Sequence, residues 1–379
     1  MKILMYRSDW AVNVDRQARD EYGGVGYYRI VKVAEQLQKA GHDVTVVGAK
    51  LRHIGETVSD RFERIFTDYD VLWTCYTSHG DDASAMYYWR DKLGKKVILD
   101  LDDNYLDVVE SHRLYDKLKS GKKDRAFMGT ILSFADVITV STEPLKQRMT
   151  QHFKEVYNLD KTIVVIPNFN DKKDWNYKSI KKNKDKIVIG YAGSNSHDED
   201  LKMIMPALGE VMNKHKNVYF ESTGAIDIKE LKNLGLYKHL SEDSLYRCDL
   251  LPSTSIFKDY PKMLSKRKWD IAIAPLQDNA FTRCKSHIKW MEMSMFKFPV
   301  IASRVYPYYV DLWDRQIIDD GFTGLLVKPN EWVGALELLI TDEKKRIELG
   351  NNAYNFVREE WQNEDSGLPQ VIDKMLKNL

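Results

Sequence analysis

Long apolar runs are missing from this 379-residue sequence. No stretch approaches the roughly 18 to 20 consecutive apolar residues that a membrane-spanning helix requires. The opening MKILMYRSDW reaches Arg7, Ser8 and Asp9 too early for the apolar region of a signal peptide. Cysteine is scarce: Cys75, Cys248 and Cys284 are odd in number, widely separated and without metal-ligand spacing, which excludes a disulfide framework. An excess of one charge is also absent. With 57 Lys and Arg against 56 Asp and Glu, the formal charge is +1, so a polyanionic partner would have to be met by a local cluster rather than by the whole molecule. These absences together predict a soluble cytoplasmic protein.

What is present is enough apolar material for two cores, with 43% hydrophobic and 11% aromatic residues. Lys2 to Tyr6 reads as a strand. Ile30, Val33, Ala34 and Leu37 then follow at helical spacing, Gly41 supplies a helix C-terminal cap, and Val44 to Val47 reads as a second strand, giving a parallel βαβ unit. Buried-strand candidates continue at Val71 to Thr74, Val97 to Leu101, Val137 to Val140 and Ile163 to Ile166. A second series runs through Ile187 to Ala192, Val218 to Ser222, Ile271 to Pro275, Pro299 to Ala302 and Gly324 to Val327. Between the two series, residues 171–186 carry seven lysines. The pattern predicts an α/β protein of two Rossmann-like doubly wound domains facing across a cleft. Residues 1–172 form the first domain, 173–186 a lysine-rich exposed linker and 187–345 the second domain. Residues 346–379 form a helical region that packs back across the junction.

Three loops carry chemistry. Gly23-Gly24-Val25-Gly26 sits between a strand and a helix, where Gly24 and Gly26 would let a ligand approach the backbone and the helix N-terminus favours anions. A plain tight turn explains them equally well, because the full G-x-G-x-x-G fingerprint is absent. Tyr28 and Arg29 follow on the same side. A second loop, Gly190 to His197, offers Gly193, Ser194, Ser196 and His197 to a diphosphate or a sugar, unless Ser196 or Asp198 simply caps the helix that begins near Asp200. In the third segment, Phe281 to Glu292, a helix at about 100° per residue would place Lys285, Lys289 and Glu292 on one face. Two ammonium groups can neutralise a diphosphate, and a carboxylate can accept hydrogen bonds from ribose hydroxyls. The alternative is a solvated helix face with a Lys289–Glu292 pair.

The segment with Lys285, Ser286, Glu292, Pro299 and Val300 resembles the donor-site helix of GT-B fold glycosyltransferases, especially the broad family 4-like group (glycosyl transferases group 1). Asp270 to Leu276, Asp320 to Val327, Gly24-Val25-Gly26 with Tyr28-Arg29, and Gly190 to Ser194 with His197 are similar to that family in the same order along nearly the whole chain. One departure stands out. Many relatives carry two glutamates eight positions apart here, whereas the position eight before Glu292 is Cys284.

The resemblance implies transfer of a sugar from a nucleotide-diphosphate sugar to an acceptor hydroxyl, with retention of configuration and no cofactor. It implies donor binding by Gly24, Gly26, Gly193, Ser194, Lys285, Ser286, Lys289 and Glu292, with Lys285 and His197 in catalytic roles. Tyr28 and Arg29 are expected on the acceptor side. Asp100-Leu101-Asp102-Asp103-Asn104 ends a strand of the first domain. Its D-x-D spelling matches a divalent-metal motif of a different glycosyltransferase fold, and Asp102 and Asp103 also suit loop capping. Because the donor signals lie in the other domain, the expectation is a metal-free role for Asp102 and Asp103 on the sugar or acceptor. The acceptor stays open among a glycan, a small molecule and nucleic acid. For the last of these the linker lysines would meet phosphates while Trp175 or Tyr177 stacks on a base. A nucleotide-sugar epimerase or hydrolase, and a non-catalytic binder of anionic polymer, are the remaining alternatives.

Overall fold

The computed structural model describes residues 1–6, 22–47, 67–75, 84–178 except 85, 111 and 113, 185–193, 197–224, 238–309 except 253, 255 and 256, 316–362 and 368–379. The chain divides into two compact units. The first comprises Met1–Phe169, Ser255–Lys258 and Asn363–Leu379; the second comprises Asn170–Thr254 and Asp259–Gln362.

The first unit is built on a sheet of β1 (Lys2–Tyr6), β2 (Asp43–Val47), β3 (Val71–Cys75), β4 (Lys96–Leu101), β5 (Val137–Val140) and β6 (Thr162–Val165), in the order β2-β1-β3-β4-β5-β6. The second is built on β7 (Ile187–Gly193), β8 (Val218–Gly224), β9 (Cys248–Pro252), β10 (Ile271–Ala274), β11 (Val300–Ser303) and β12 (Leu325–Val327), in the order β12-β11-β10-β7-β8-β9. Every pairing in both sheets is parallel. Parallel strands need both faces covered, and the sequence supplies this with unbroken buried runs such as VLWTC in β3 and IAIA in β10.

The crossovers include α1 (Lys32–Lys39), α2 (Lys123–Phe134) and α3 (Glu143–His152) in the first unit. In the second unit they include α4 (Asp198–Lys214), α5 (Tyr260–Ser265) and α6 (Ile288–Ser294); α7 (Trp332–Thr341) and α8 (Glu343–Glu360) follow the last strand, and α9 (Leu368–Lys377) returns to the first unit and packs against α1. Gly41 ends α1 as expected. Its φ is +89°, and the His42 N–H reaches the Leu37 carbonyl at 3.0 Å, the six-to-one bond of a left-handed helix cap. No helix among the described residues is long and apolar enough to cross a membrane.

The structure differs from the sequence reading in three places. Strand β9 was not anticipated: CDLLP lies at the sheet edge, where Asp249 is exposed and Leu250 only half-buried, so it lacks an apolar signature. The expected linker begins as structure. The Asn170 N–H donates to the Trp361 carbonyl at 3.1 Å, Asn170 bridges to Gln362, and Trp175 is 1% exposed between Tyr260 and Phe296. The division therefore falls after Phe169, and Trp175 is a core residue rather than a stacking platform for a base. Of the linker lysines, Lys181, Lys182 and Lys184 lie outside the described residues. Finally, the helical pattern that runs in the sequence from Leu336 through Ile347, Ala353, Phe356 and Val357 to Trp361 is interrupted at Asp342, which ends α7 and caps α8 by accepting the Lys345 N–H at 2.8 Å.

Candidate functional site

In the second sheet the chain starts at β7, proceeds outward through β8 and β9, then returns to β10 on the other side of β7 before continuing to β11 and β12. The carboxyl ends of β7 and β10 thus form a topological switch point, the usual ligand site of open α/β sheets.

The β7 loop leads into α4 and the β10 loop into α6. Asp200, in the first turn of α4, joins the two: its Oδ1 accepts the Gln277 N–H from the β10 loop at 2.7 Å, and its Oδ2 lies 2.7 Å from His197 Nδ1. Burial pushes His197 down to about 4, reinforced by the positive charges of Lys289 and Lys285 against the pull of Asp200. The imidazole is therefore neutral, and the charges of both lysines of the sequence reading act on it.

They arrive by different routes than expected. Asn279 accepts the N–H groups of Phe281 and Thr282 at 3.0 and 2.9 Å, and so starts a separate 3-10 turn over Thr282–Cys284. Lys285 follows it in extended backbone, and α6 begins only at Ile288, so Lys285 and Ser286 precede the helix on which Lys289 and Glu292 sit. The single helical face is corrected to a loop cation beside a helix. Lys285 Nζ lies 4.6 Å from the centroid of the Phe281 ring, and Lys289 Nζ lies 5.4 Å from that of Tyr191.

Glu292 is 6% exposed and accepts a hydrogen bond from Tyr260 at the start of α5. Burial, then the Glu292 carboxylate, hold the Tyr260 phenol well above its usual range. Tyr308, also buried, is raised by burial and by the negative charges of Asp200 and Glu292. Asp200, Tyr260 and Tyr308 were missed from the sequence. Only Asp200 left a signal, an acid three positions after His197 in the first turn of a helix; the tyrosines are brought in by tertiary packing.

Gly193 is the last residue of β7, paired with Gly224 at the end of β8. A Cβ on Gly193 would lie 2.3 Å from the Tyr191 hydroxyl, and one on Gly224, whose φ is +131°, would lie 1.9 Å from the Gly193 carbonyl oxygen. Both glycines are therefore demanded by packing, whatever else they do. Ser194 and Ser196 lie outside the described residues. His197 itself occupies the position before α4 and makes no side-chain cap bond.

In the first unit, Gly24 is already helical and Gly26 begins a six-residue π-helical stretch leading into α1, so the glycines lie within the first turns rather than in a loop ahead of them. Tyr28 is 4% exposed against Tyr27 and Phe257. Arg29, expected on the acceptor side, is turned inward. It is 1% exposed, its Nε and Nη2 donate to the two Asp100 oxygens at 2.9 and 2.7 Å, and its Nη1 donates to the Ile166 carbonyl and to Asn168 at 3.0 Å. Thr139 also donates to Asp100, at 2.6 Å. With its oxygens filled, Asp100 serves as the counter-ion of a structural arginine, which removes the first acid of the D-x-D spelling. Asp102 and Asp103 are half-buried at the carboxyl end of β4; Asp102 accepts from Tyr105 at 2.8 Å. Arg148 clamps Asp107 with two bonds, and Asn104 donates to Asp107 at 2.9 Å, bracing the loop that carries them.

No described protein family and no curated protein matches the sequence. Solved structures do. HepE of Anabaena, solved with UDP and glucose, matches over 100% of both chains at 14% identity with a TM-score of 0.66. An E. coli trehalose-6-phosphate protein bound with UDP-2-fluoro glucose matches over 100% of this chain and 99% of that one, at 10% identity and a TM-score of 0.64. A glycosyltransferase of Rickettsia africae covers 100% and 98%, at 15% identity and 0.61. The chain has the GT-B fold. Its two six-stranded parallel sheets are the two Rossmann-like domains of that fold, as the motif resemblance implied. Within it, β7 to β12 form the half in which Lys285, Lys289, His197 and Glu292 meet.

Proposed function

We propose that the protein is a glycosyltransferase that binds a nucleotide-diphosphate sugar in its second unit and transfers the sugar to an acceptor hydroxyl. One observation carries this reading: two lysines that approach a neutral imidazole at the β7/β10 switch point, with a buried carboxylate on the helix that bears one of them. Glycosyl transfer develops positive charge on the sugar and negative charge on the departing diphosphate. Fixed cations at the diphosphate strengthen as that charge grows and so lower the barrier, with Lys285 the first choice for this role. Glu292, held by Tyr260, suits the ribose hydroxyls. Two ammonium groups take the part that a divalent ion plays elsewhere, so the proposal includes metal independence. UDP and UDP-glucose in HepE structures of the same fold support the donor class.

On the acceptor side we place Asp102 and Asp103 with Tyr28. Retention of configuration is part of the proposal on the strength of the motif resemblance, and the anomeric coupling constant of the product checks it. The deciding experiment is a thermal-shift panel of nucleotides and nucleotide sugars, since a ligand of the folded state raises its apparent stability. One nucleotide series should shift the melting temperature, with Glu292→Gln abolishing the shift and Lys285→Ala reducing turnover at least tenfold, the size expected for loss of a charge-assisted contact of about 1.5 to 3 kcal/mol. A flat panel, or variants with wild-type affinity and turnover, would overturn the assignment. Transfer that EDTA abolishes and magnesium restores would overturn its metal-free form.

A further inference from the structure

The hydrogen-bonding inventory of His197 decides what it can bind. Nδ1 faces Asp200 Oδ2 at 2.7 Å, while the other Asp200 oxygen is taken by the Gln277 N–H. A carboxylate only accepts, so Nδ1 carries the ring proton. Burial and the neighbouring lysines oppose a second proton, which leaves Nε2 a bare lone pair. That nitrogen has no hydrogen-bond partner among the described residues, and the side chain keeps 13% of its surface open. Diphosphate oxygens at neutral pH are acceptors too, so Nε2 facing one would set lone pair against lone pair. A hydroxyl donates.

Resting on the donor-site reading above, we propose that His197 accepts a hydrogen bond from a hydroxyl of the transferred sugar and so selects the donor's sugar, with Asp200 as the residue that fixes its tautomer. The division of labour is then complete: the lysines answer the diphosphate, and the imidazole answers the sugar. A donor lacking that hydroxyl leaves the lone pair unmet, which is the arrangement that discriminates most strongly between analogues.

Asp200→Asn provides an internal control. The Gln277 N–H still requires the side-chain oxygen, so the new amide turns its NH2 toward Nδ1, and the ring proton moves to Nε2. The imidazole then presents a donor, suited to a phosphate oxygen. Titration calorimetry on the full chain with UDP, GDP and ADP, each beside its UDP-glucose, GDP-mannose or ADP-glucose, separates the possibilities. For the nucleotide that binds, His197→Ala should keep the nucleoside-diphosphate affinity within about twofold and weaken the nucleotide sugar about tenfold. His197→Gln, whose amide oxygen can accept, should recover part of the loss, and Asp200→Asn should lower the ratio of sugar-nucleotide to nucleotide affinity. Among the 2-, 3-, 4- and 6-deoxy forms of the sugar, one should bind wild type and His197→Ala equally. Retained nucleoside-diphosphate binding reports that each variant is folded. Parallel weakening of both ligands, or no change in either, overturns the His197 assignment alone; absence of any binding by the wild type overturns the donor-site reading with it.

Discussion

Arg29 is buried and His197 largely so, each beside an aspartate, yet one stays charged and the other does not. Burial alone would lower the Arg29 pKa, but the two bonds to Asp100 more than offset it and raise it above the ordinary arginine value. Removing one member of such a pair strands the other in the core, at a cost of about 3 to 5 kcal/mol. Arg29→Ala should therefore unfold at markedly lower denaturant, and Arg29→Lys should recover little, because an ammonium cannot reproduce the planar fork that also serves Ile166 and Asn168. A lysine variant with the wild-type midpoint would show that the pair is not structural. His197 has the opposite linkage. Its pKa is about 4 in the fold against about 6.5 in the unfolded chain, so between those values the unfolded state binds the extra proton. Stability should be fully retained above pH about 6.5 and fall by roughly 3 kcal/mol as pH drops to about 4. His197→Asn should flatten that part of the profile in denaturation curves, and an unchanged slope would count against the buried neutral imidazole.

At the level of elements, what was legible followed from apolar content. Fully buried strands such as IAIA and VLWTC announce themselves, and the strand that went unread was the half-polar edge strand CDLLP. Helical periodicity located α6 but not its beginning, because a helix wheel cannot show that the Asn279 side chain diverts the backbone into a 3-10 turn first. The lysines and Glu292 were legible as chemistry; Tyr260 and Tyr308 were not, since they reach Glu292 only through the packing of α5 and the turn after β11. Arg29 was misread because an arginine next to a glycine-rich segment looks the same in sequence whether it points to solvent or to a carboxylate 71 positions away. The paired ends of β7 and β8 give a further test. Gly224→Ala combines a disfavoured φ with a clash against the Gly193 carbonyl, so it should lower the melting temperature and donor affinity together. A variant of wild-type stability would mean that this strand end has room to relax.

On the scale of the molecule, the chain enters the second unit at Asn170 and leaves it at Gln362, and these two residues are bridged to each other. Between them lies a core cluster of buried residues that includes Ile189, Tyr191, Phe220, Ile273 and Leu336. Residues 170–362 expressed alone, with Phe257→Ser because the ring partners of Phe257 are in the first unit, should be folded and should bind the same nucleotide as the full chain without transferring its sugar. Circular dichroism and calorimetry check this, and a fragment that stays unfolded would show that the units depend on each other for stability. The bridge at Asn170 and Gln362 also makes the molecule, in the order of its chain, a host with a guest. Ser255–Lys258 apart, the second unit is a cassette whose two ends meet, and α9 of the first unit is supplied only after that cassette has been translated. On the ribosome the guest can therefore be finished while its host still lacks a helix beside α1.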